Sequence, residues 1–249
     1  MSRRAPPASL DELEARAAAL AGRSLAELAA ALGAPVPDDL RRAKGWIGQL
    51  VEAALGAVGG SRPEPDFEAL GVELKTVPVG PDGAPRESTF VCAAPIEGAI
   101  EPDWETSHAR RKLAHVLWVP VIGDRADPVG ARVVGTPRLW APSAAEDAVL
   151  AADWLELSER IANGELHRIH ARLGVALQLR PKAANAVDYA WMLDEEGTWV
   201  RAVPYGFYLR ARFTRGLLAG VDAGARLSGL DPLEGAAHGA EGLDDEGER

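Results

Sequence analysis

The stretch DFEALGVELKT, residues 66–76, contains an aspartate, Asp66, and after six intervening residues the run Glu73-Leu74-Lys75. In this region the hydrophobic pattern changes to a period of two, which predicts a β-strand. Alternate side chains of a strand share one face, so Glu73 and Lys75 project together while Leu74 points into the core. We therefore expect the carboxylates of Asp66 and Glu73 to converge beside the amine of Lys75.

Two carboxylates and an amine suit the hydrolysis of a phosphodiester. Carboxylate oxygens are ligands that Mg²⁺ prefers, and Mn²⁺ is expected to substitute for it. A bound metal neutralises charge on the phosphate and lowers the pKa of an attacking water, while Lys75 can orient that water or stabilise negative charge. The pattern indicates a nuclease centre, although acids and bases with this spacing also occur by chance on exposed strands.

Two more residues are candidates for the same centre. Glu52 lies in a helix predicted over residues 38–57 among apolar neighbours, where a buried carboxylate needs a cation or a hydrogen-bonding partner. A surface acid paired with an arginine is the alternative interpretation. Lys112 ends a run of three bases just before a predicted strand, a pattern that is also typical of a solvated or phosphate-contacting face.

The remaining pattern predicts a mixed α/β (α+β) architecture. Capping boxes at Ser9/Glu12 and Ser24/Glu27 predict two short N-terminal helices, and a third begins at Asp38. Strands that begin at Leu70 and that span 88–94, 115–122 and 131–134 are predicted to form one mixed sheet. They are followed by a predicted helix over 143–163, short strands at 175–180 and 206–212, and a short helix that ends at Leu218.

Length and composition limit the number of domains and the class of protein. The 249 residues, 47% of them hydrophobic, suffice for one large domain or two small ones. We expect an endonuclease domain over residues 1–219 and an acidic, disordered tail over 220–249, which has no aromatic residue. The single cysteine, Cys92, excludes an internal disulfide. No apolar run approaches the ~20 residues that cross a bilayer, so we expect a cytoplasmic protein.

The net charge of −10 argues at first sight against a nucleic-acid partner. Its distribution is uneven, because residues 231–249 hold seven acids and one base and contribute −6 of that total. Residues 160–215 instead carry nine bases against five acids. That local excess of +4 can face phosphate, although charge alone fits a merely solvated surface equally well.

Lysine is scarce in this chain. Of its 27 basic residues, 23 are arginine and only four are lysine, namely Lys44, Lys75, Lys112 and Lys182. A lysine amine is a compact point charge whose pKa can shift, which a guanidinium does not offer. The four lysines are therefore candidates for specific roles.

Several segments resemble the MutH family of mismatch-repair endonucleases in sequence, order and spacing, from about Leu10 to Leu218. They are Lys44-Gly45-Trp46-Ile47-Gly48, Asp66-Phe67 with Gly71-Val72-Glu73-Leu74-Lys75-Thr76, Thr89-Phe90-Val91-Cys92, Trp104-Glu105-Thr106-Ser107-His108, Arg180-Pro181-Lys182-Ala183-Ala184-Asn185 and Gly206-Phe207-Tyr208-Leu209. The resemblance implies a restriction-endonuclease-like fold of the PD-(D/E)xK superfamily, with two arms flanking a DNA-binding cleft. Residues 186–205 correspond only loosely, and the acidic tail has no clear counterpart.

The resemblance also implies roles for particular residues. Asp66, Glu73 and Lys75 match the metal-binding and catalytic centre, with Glu52 as a further metal ligand and Lys112 in support. Residues matching positions that contact DNA are Arg180, Pro181 and Lys182 in a DNA-reading loop, Tyr208 as a sensor of adenine methylation, and Lys44 and Phe90 near the duplex.

The family resemblance implies a monomer that uses Mg²⁺ to nick the unmethylated strand of hemimethylated GATC in double-stranded DNA. The ATPase MutL activates such enzymes after a mismatch is found, so MutS is an indirect partner. Two alternatives stay open. One is a restriction endonuclease that cuts both strands at GATC, and the other is a DNA-binding module that has lost catalysis.

Overall fold

The computed structural model describes residues 1–58, 64–96, 101–170, 172–182, 190–194 and 196–220. The helices are α1 (Leu10–Ala18), α2 (Leu25–Ala31), α3 (Trp46–Leu55), α4 (His108–Leu113), α5 (Ala144–Ala162) and α6 (Ala211–Leu218). The strands are β1 (Glu73–Val79), β2 (Thr89–Ala93), β3 (Val116–Ile122), β4 (Val133–Val134), β5 (Arg138–Trp140), β6 (Leu177–Pro181), β7 (Ala190–Leu193), β8 (Trp199–Ala202) and β9 (Tyr205–Leu209).

The first sheet is mixed and is built around β3. Strand β1 runs parallel to β3, with Glu73 opposite Val116, and β4 and β5 both pair antiparallel with β3. Strand β1 lies at the end of the order β1-β3-β4 and is therefore an edge strand. The outward N–H and C=O groups of that edge are available to other partners.

A second sheet has the antiparallel order β2-β9-β6, and β7 and β8 form a separate hairpin. The prediction of one mixed sheet was therefore wrong, because β2 pairs with β9 rather than with β1. Hydrophobic alternation indicates that a segment is a strand, but it does not specify the partner. Strands β5, β7 and β8 and helix α4 were not predicted.

The first sheet separates two hydrophobic cores. Leu117 on β3 packs with the N-terminal helices, in a core that includes Leu13, Leu28 and Leu50. Its neighbour Trp118 belongs to the opposite core, which includes the buried faces of α5, α6 and the second sheet. Both faces of β3 are thus buried, as its uninterrupted apolar sequence requires.

The predicted N-terminal signals of α1, α2 and α5 are confirmed. The side chains of Ser9, Ser24 and Ser143 each accept a hydrogen bond from the backbone N–H three residues later. Full reciprocal capping boxes are present at α2 and α5. In α1, Glu12 instead accepts from the N–H of Ala8.

Two predicted boundaries were wrong. Helix α3 begins at Trp46 rather than Asp38, because Gly45 adopts a left-handed conformation with φ of +80° that interrupts the helix. The strand predicted over 206–212 ends at Leu209, where the chain turns into α6. The predicted disordered tail lies outside the described residues beyond Gly220.

Within the described ranges, no helix has the length and apolarity needed to cross a membrane.

The conformation of Gly45 gives a test of how α3 is started. Because a Cβ at Gly45 meets no atom within 4 Å, Gly45→Ala costs only the left-handed backbone strain, about 1–2 kcal/mol of unfolding free energy. Gly45→Asn is the matched control, since asparagine tolerates this conformation better and is expected to lose less. Chemical denaturation measures both, and equal stability of the two variants would contradict this account of the helix start.

Candidate active site

The site is built on the exposed edge of β1. The backbone N–H of Leu74 points away from β3 and donates to Oδ2 of Asp66 at 2.8 Å. Between them the chain folds back on itself, with Phe67 and Val72 forming an isolated bridge. The N–H of Val58, just after α3, donates to the carbonyl of Asp66 at 3.1 Å. Asp66 is thereby fixed beside the strand that carries Glu73 and Lys75, as predicted.

Glu73 is the most enclosed acid of the group, with only 5% of its surface exposed. One carboxylate oxygen, Oε1, accepts from Lys75 Nζ at 2.8 Å, and the other, Oε2, accepts from Lys112 Nζ at 3.0 Å. Lys112 lies on α4 and also donates to the carbonyl of Glu64 at 3.0 Å. The structure thus brings both predicted lysines onto one buried carboxylate, where losing either partner leaves a charge poorly compensated.

Glu52 and Asp66 add negative charge to the same place. Burial raises the pKa of the Glu52 carboxyl, and the nearby Asp66 raises it further. Burial likewise raises the pKa of Asp66, with a further contribution from Glu73, while the N–H of Leu74 and the Lys75 ammonium oppose the shift. Glu52 and Asp66 therefore each experience like charges in a partly desolvated site.

These residues have the donor chemistry for a hard divalent cation. Glu52 and Asp66 present carboxylate oxygens that repel each other, and a cation would relieve that repulsion. Both oxygens of Glu73 are meanwhile engaged by lysines. In the described part of the chain, no group of three or more His, Cys, Asp or Glu side chains has an arrangement that could hold a metal.

Glu52, Asp66, Glu73, Lys75 and Lys112 together form the acidic cluster, which is also the predicted catalytic cluster. A cleft of about 560 Å³ extends from Glu52 and Lys75 of this cluster to the second sheet. Glu52, Lys75 and the edge of β1 line one wall. Phe90, Arg180 and Tyr208 of the second sheet line the other. Two of the residues predicted to be catalytic and three of those predicted to contact DNA therefore line one concave surface.

The second sheet presents alternating faces. Across β6 and β9, Gln178 pairs with Tyr208 and Arg180 pairs with Gly206, so these residues share the cleft face. The intervening Leu179 and Phe207 are buried in the core. This alternation fixes which side chains of β6 point toward the cleft.

Cations and aromatic rings interleave on that face. The guanidinium of Arg180 lies 5.9 Å from the centre of the Tyr208 ring, and Lys182 Nζ lies 5.1 Å from that of Phe90. The two rings meet edge to face at 5.3 Å between centroids. These contacts hold the cationic groups in defined positions on a partly exposed surface.

Gly206 belongs to this face, and no role was predicted for it from the sequence. A Cβ there would lie 2.8 Å from Cε2 of Phe90 and 3.1 Å from the carbonyl oxygen of Cys92. Glycine is thus needed for the Phe90 ring to lie against β9. A glycine inside a strand pattern is the signal that indicates such a close approach.

Other predicted residues are placed differently. Lys44 is an exposed residue of the turn before α3, next to Gly45, which does line the cleft. Pro181 is exposed at the end of β6, opposite Tyr205. Cys92 is a buried core residue whose burial raises its pKa to about 12, which makes it unreactive.

The basic excess over residues 160–215 is only partly directed at the cleft. Arg160 pairs with Glu156 and Glu165. Arg210 and Arg212 donate to backbone carbonyls of the chain just before β6. Several of the basic residues counted in the sequence therefore have a structural role. Arg180 and Lys182 instead lie beside Tyr208 and Phe90 on the cleft side of the second sheet, which we call the recognition face.

Comparison with known proteins agrees with this arrangement. The family model "DNA mismatch repair enzyme MutH" matches residues 55–153, which include β1, α4 and most of the catalytic cluster. The chain is 55% identical over 214 residues to a protein of Citrobacter koseri named DNA mismatch repair protein MutH, covering 86% of this chain and 93% of the relative. A protein of the same name from Enterobacter sp. is 51% identical over 216 residues, covering 87% and 94%.

Identity of this extent, over nearly the whole length of both chains, reaches beyond the acidic cluster to the recognition face and to the helices that support it. The chain therefore belongs to the MutH family of DNA mismatch repair endonucleases, and it is an endodeoxyribonuclease with the mixed α/β, restriction-endonuclease-like fold of that family.

Proposed function

We propose that this endonuclease uses Mg²⁺ to nick the unmethylated strand of hemimethylated GATC in methyl-directed mismatch repair, after activation by MutL. The observation that carries the proposal is the shared cleft. Lys75 and Glu52 line it together with Arg180 and Tyr208, which supports a proposal in which one surface reads the base sequence and attacks the backbone beside it.

The acidic cluster supports a hydrolytic mechanism. Asp66, Glu73 and Glu52 would hold the cation, and Mn²⁺ is expected to replace Mg²⁺ there. When bound, the cation neutralises charge on the phosphate and lowers the pKa of a coordinated water. Lys75 supplies a fixed positive charge at the cluster, where it stabilises developing negative charge or orients the water. Lys112 holds the second oxygen of Glu73 and so fixes the direction of that carboxylate.

The recognition face supports sequence selectivity. A guanidinium can donate two hydrogen bonds to O6 and N7 of guanine in the major groove, and Arg180 is exposed and held by Tyr208. In this proposal the phenol of Tyr208, half-buried beside it, detects a methyl group on adenine. Phe90, Lys182 and Pro181 extend the same surface, and Lys44 contacts the duplex from the turn before α3 in this proposal.

Nicking by a monomer is part of the proposal. Cutting both strands of a duplex in one encounter takes two active centres, and the described residues form one such cluster per chain. As a monomer in the cytoplasm, the enzyme would break one strand of chromosomal DNA at each encounter. MutL activation and an indirect link to MutS complete the proposal. A restriction enzyme of the same fold would have to dimerise in order to break both strands.

Removal of Glu73 tests the proposed chemistry. We expect the protein, given a supercoiled plasmid with one hemimethylated GATC, Mg²⁺ and MutL, to convert it to the open circle. Glu73→Ala should lower the nicking rate at least about a hundredfold, because a cation ligand and the partner of two lysines are lost.

The control for that experiment is Glu68→Ala, which removes an exposed acid two residues after Asp66 and should retain the parent rate. Linear plasmid as the main product would favour a double-strand cutter. Equal rates for Glu73→Ala and the parent would refute the assigned centre.

Substitution of Arg180 tests the recognition face. Arg180→Lys keeps the charge but loses the two-pronged donor, so affinity for a GATC duplex should fall about tenfold or more. Affinity for a duplex without GATC should change little, because that binding depends on charge. Fluorescence anisotropy at fixed salt measures both affinities. Arg172→Lys, at an exposed arginine that does not line the cleft, is the control. Equal losses on both duplexes would contradict a base-reading role.

A further inference from the structure

A buried carboxylate on α5 accepts three consecutive backbone hydrogen bonds. Asp153 is 5% exposed, and its oxygens accept from the N–H groups of Val175, Ala176 and Leu177 at distances between 2.6 and 2.9 Å. Successive N–H groups that converge in this way form a site for an anion. Here the anion is a side chain of the protein itself.

The carbonyl groups of the same turn accept hydrogen bonds from Arg210 and Arg212. Arg210 Nη2 donates to the carbonyl of Leu173 at 2.6 Å, and its backbone N–H donates to Ala176 at 2.8 Å. The guanidinium of Arg212 donates twice to the carbonyl of Val175, at 3.1 and 2.9 Å. The turn formed by residues 173–177 is thus fixed through both its N–H and its C=O groups.

Gly174 allows the turn to close this tightly. Its φ is +81°, and a Cβ there would lie 2.0 Å from the carbonyl oxygen of Leu177. Any other residue would force the backbone apart. The backbone of the turn can therefore fold tightly around the Asp153 carboxylate only with glycine at position 174.

Strand β6 begins where this turn ends. Leu177 is its first residue, and Arg180 follows three positions later, pointing into the cleft. Because side chains alternate along a strand, a slip of one residue would turn Arg180 and Lys182 toward the core and bring Leu179 to the cleft face. The start of β6 therefore decides which residues can reach DNA.

A carboxylate in this position is costly unless it is held. Burial raises the pKa of Asp153, whereas the three N–H groups and the nearby Arg210 lower it. Burial also lowers the pKa of Arg210, which Asp153 partly opposes. A pair of well-packed apolar residues would fill the same space without this desolvation cost, but it would not fix the start of the strand.

We infer that Asp153, together with Arg210 and Arg212, is a positioning device for DNA recognition, which sets the start and register of β6 so that Arg180 and Lys182 reach the cleft. The inference rests on the proposed function and extends it to residues that do not themselves line the cleft. Asp153 acts through β6 rather than by contact with DNA.

The test compares two buried acids of the same helix. Glu146 is 3% exposed in the first turn of α5, and it accepts from the backbone N–H of Ser143 and from Trp140 Nε1 rather than from the turn before β6. We compare Asp153→Asn with Glu146→Gln in the full-length protein, at a temperature equally far below each melting point. For each variant, anisotropy gives the ratio of affinities for a GATC duplex and for one with a single altered base pair.

Asp153→Asn should lower this ratio at least about tenfold, because the charge is lost and the amide NH2, in place of Oδ1, sets a donor against the N–H of Val175. Glu146→Gln should leave the ratio unchanged. If the two variants give the same ratio, Asp153 is only a structural residue and the inference is overturned. Should Asp153→Asn fail to fold, Arg212→Lys carries the same comparison, since it keeps the charge and loses the double hydrogen bond to Val175.

Hydrogen exchange of the protein without DNA separates this inference from the proposed function. Amides of residues 175–180 should exchange at least about tenfold faster in Asp153→Asn than in Glu146→Gln. If the parent protein shows no preference for GATC, the proposed function fails and the exchange result decides the positioning role. Unchanged exchange in that case overturns it, and faster exchange supports it.

Discussion

The buried carboxylate of Glu73, shared between the ammonium groups of Lys75 and Lys112, is the interaction on which the rest of the site depends. It joins the edge of β1 to α4 across 39 residues of sequence. It also holds two cations inside the protein at the point where Asp66 and Glu52 concentrate negative charge. The cluster is close to charge balance without a metal, and a divalent ion would shift that balance toward binding phosphate.

The cleft has two walls with different physical characters. One wall, formed by β1 and α3, carries Lys75 and the partly desolvated carboxylate of Glu52. The wall formed by the second sheet is cationic and aromatic, and its side chains are ordered by contacts such as that between Lys182 and Phe90. The −10 charge of the whole chain gives no indication of this separation, because arginines that a count assigns to DNA, such as Arg212, are bound to backbone carbonyls.

The sequence predicted local features well because local rules govern them. Ser24 and Ser143 cap their helices as the spacing to a glutamate indicates, and Glu73 and Lys75 share one side of β1 as alternation requires. Pairing between distant segments was not predictable in this way. The partner of β2 and the convergence of Asp153 on the turn before β6 depend on contacts across 22 residues or more. Among the site residues, the family resemblance identified Arg180 and Tyr208, whereas the role of Gly206 emerged only from the packing of Phe90.

The central proposal is that Asp66, Glu73 and Glu52 hold a divalent ion beside the phosphate to be cut. A crystal structure with Mn²⁺ and a hemimethylated GATC duplex tests it most directly, because the anomalous signal of manganese locates the metal independently of the protein. We predict a peak within about 2.0–2.3 Å of oxygens from these acids and of one phosphate on the unmethylated strand. Manganese bound elsewhere, with Glu73 still held by both lysines and the phosphate remote from Lys75, would contradict the account.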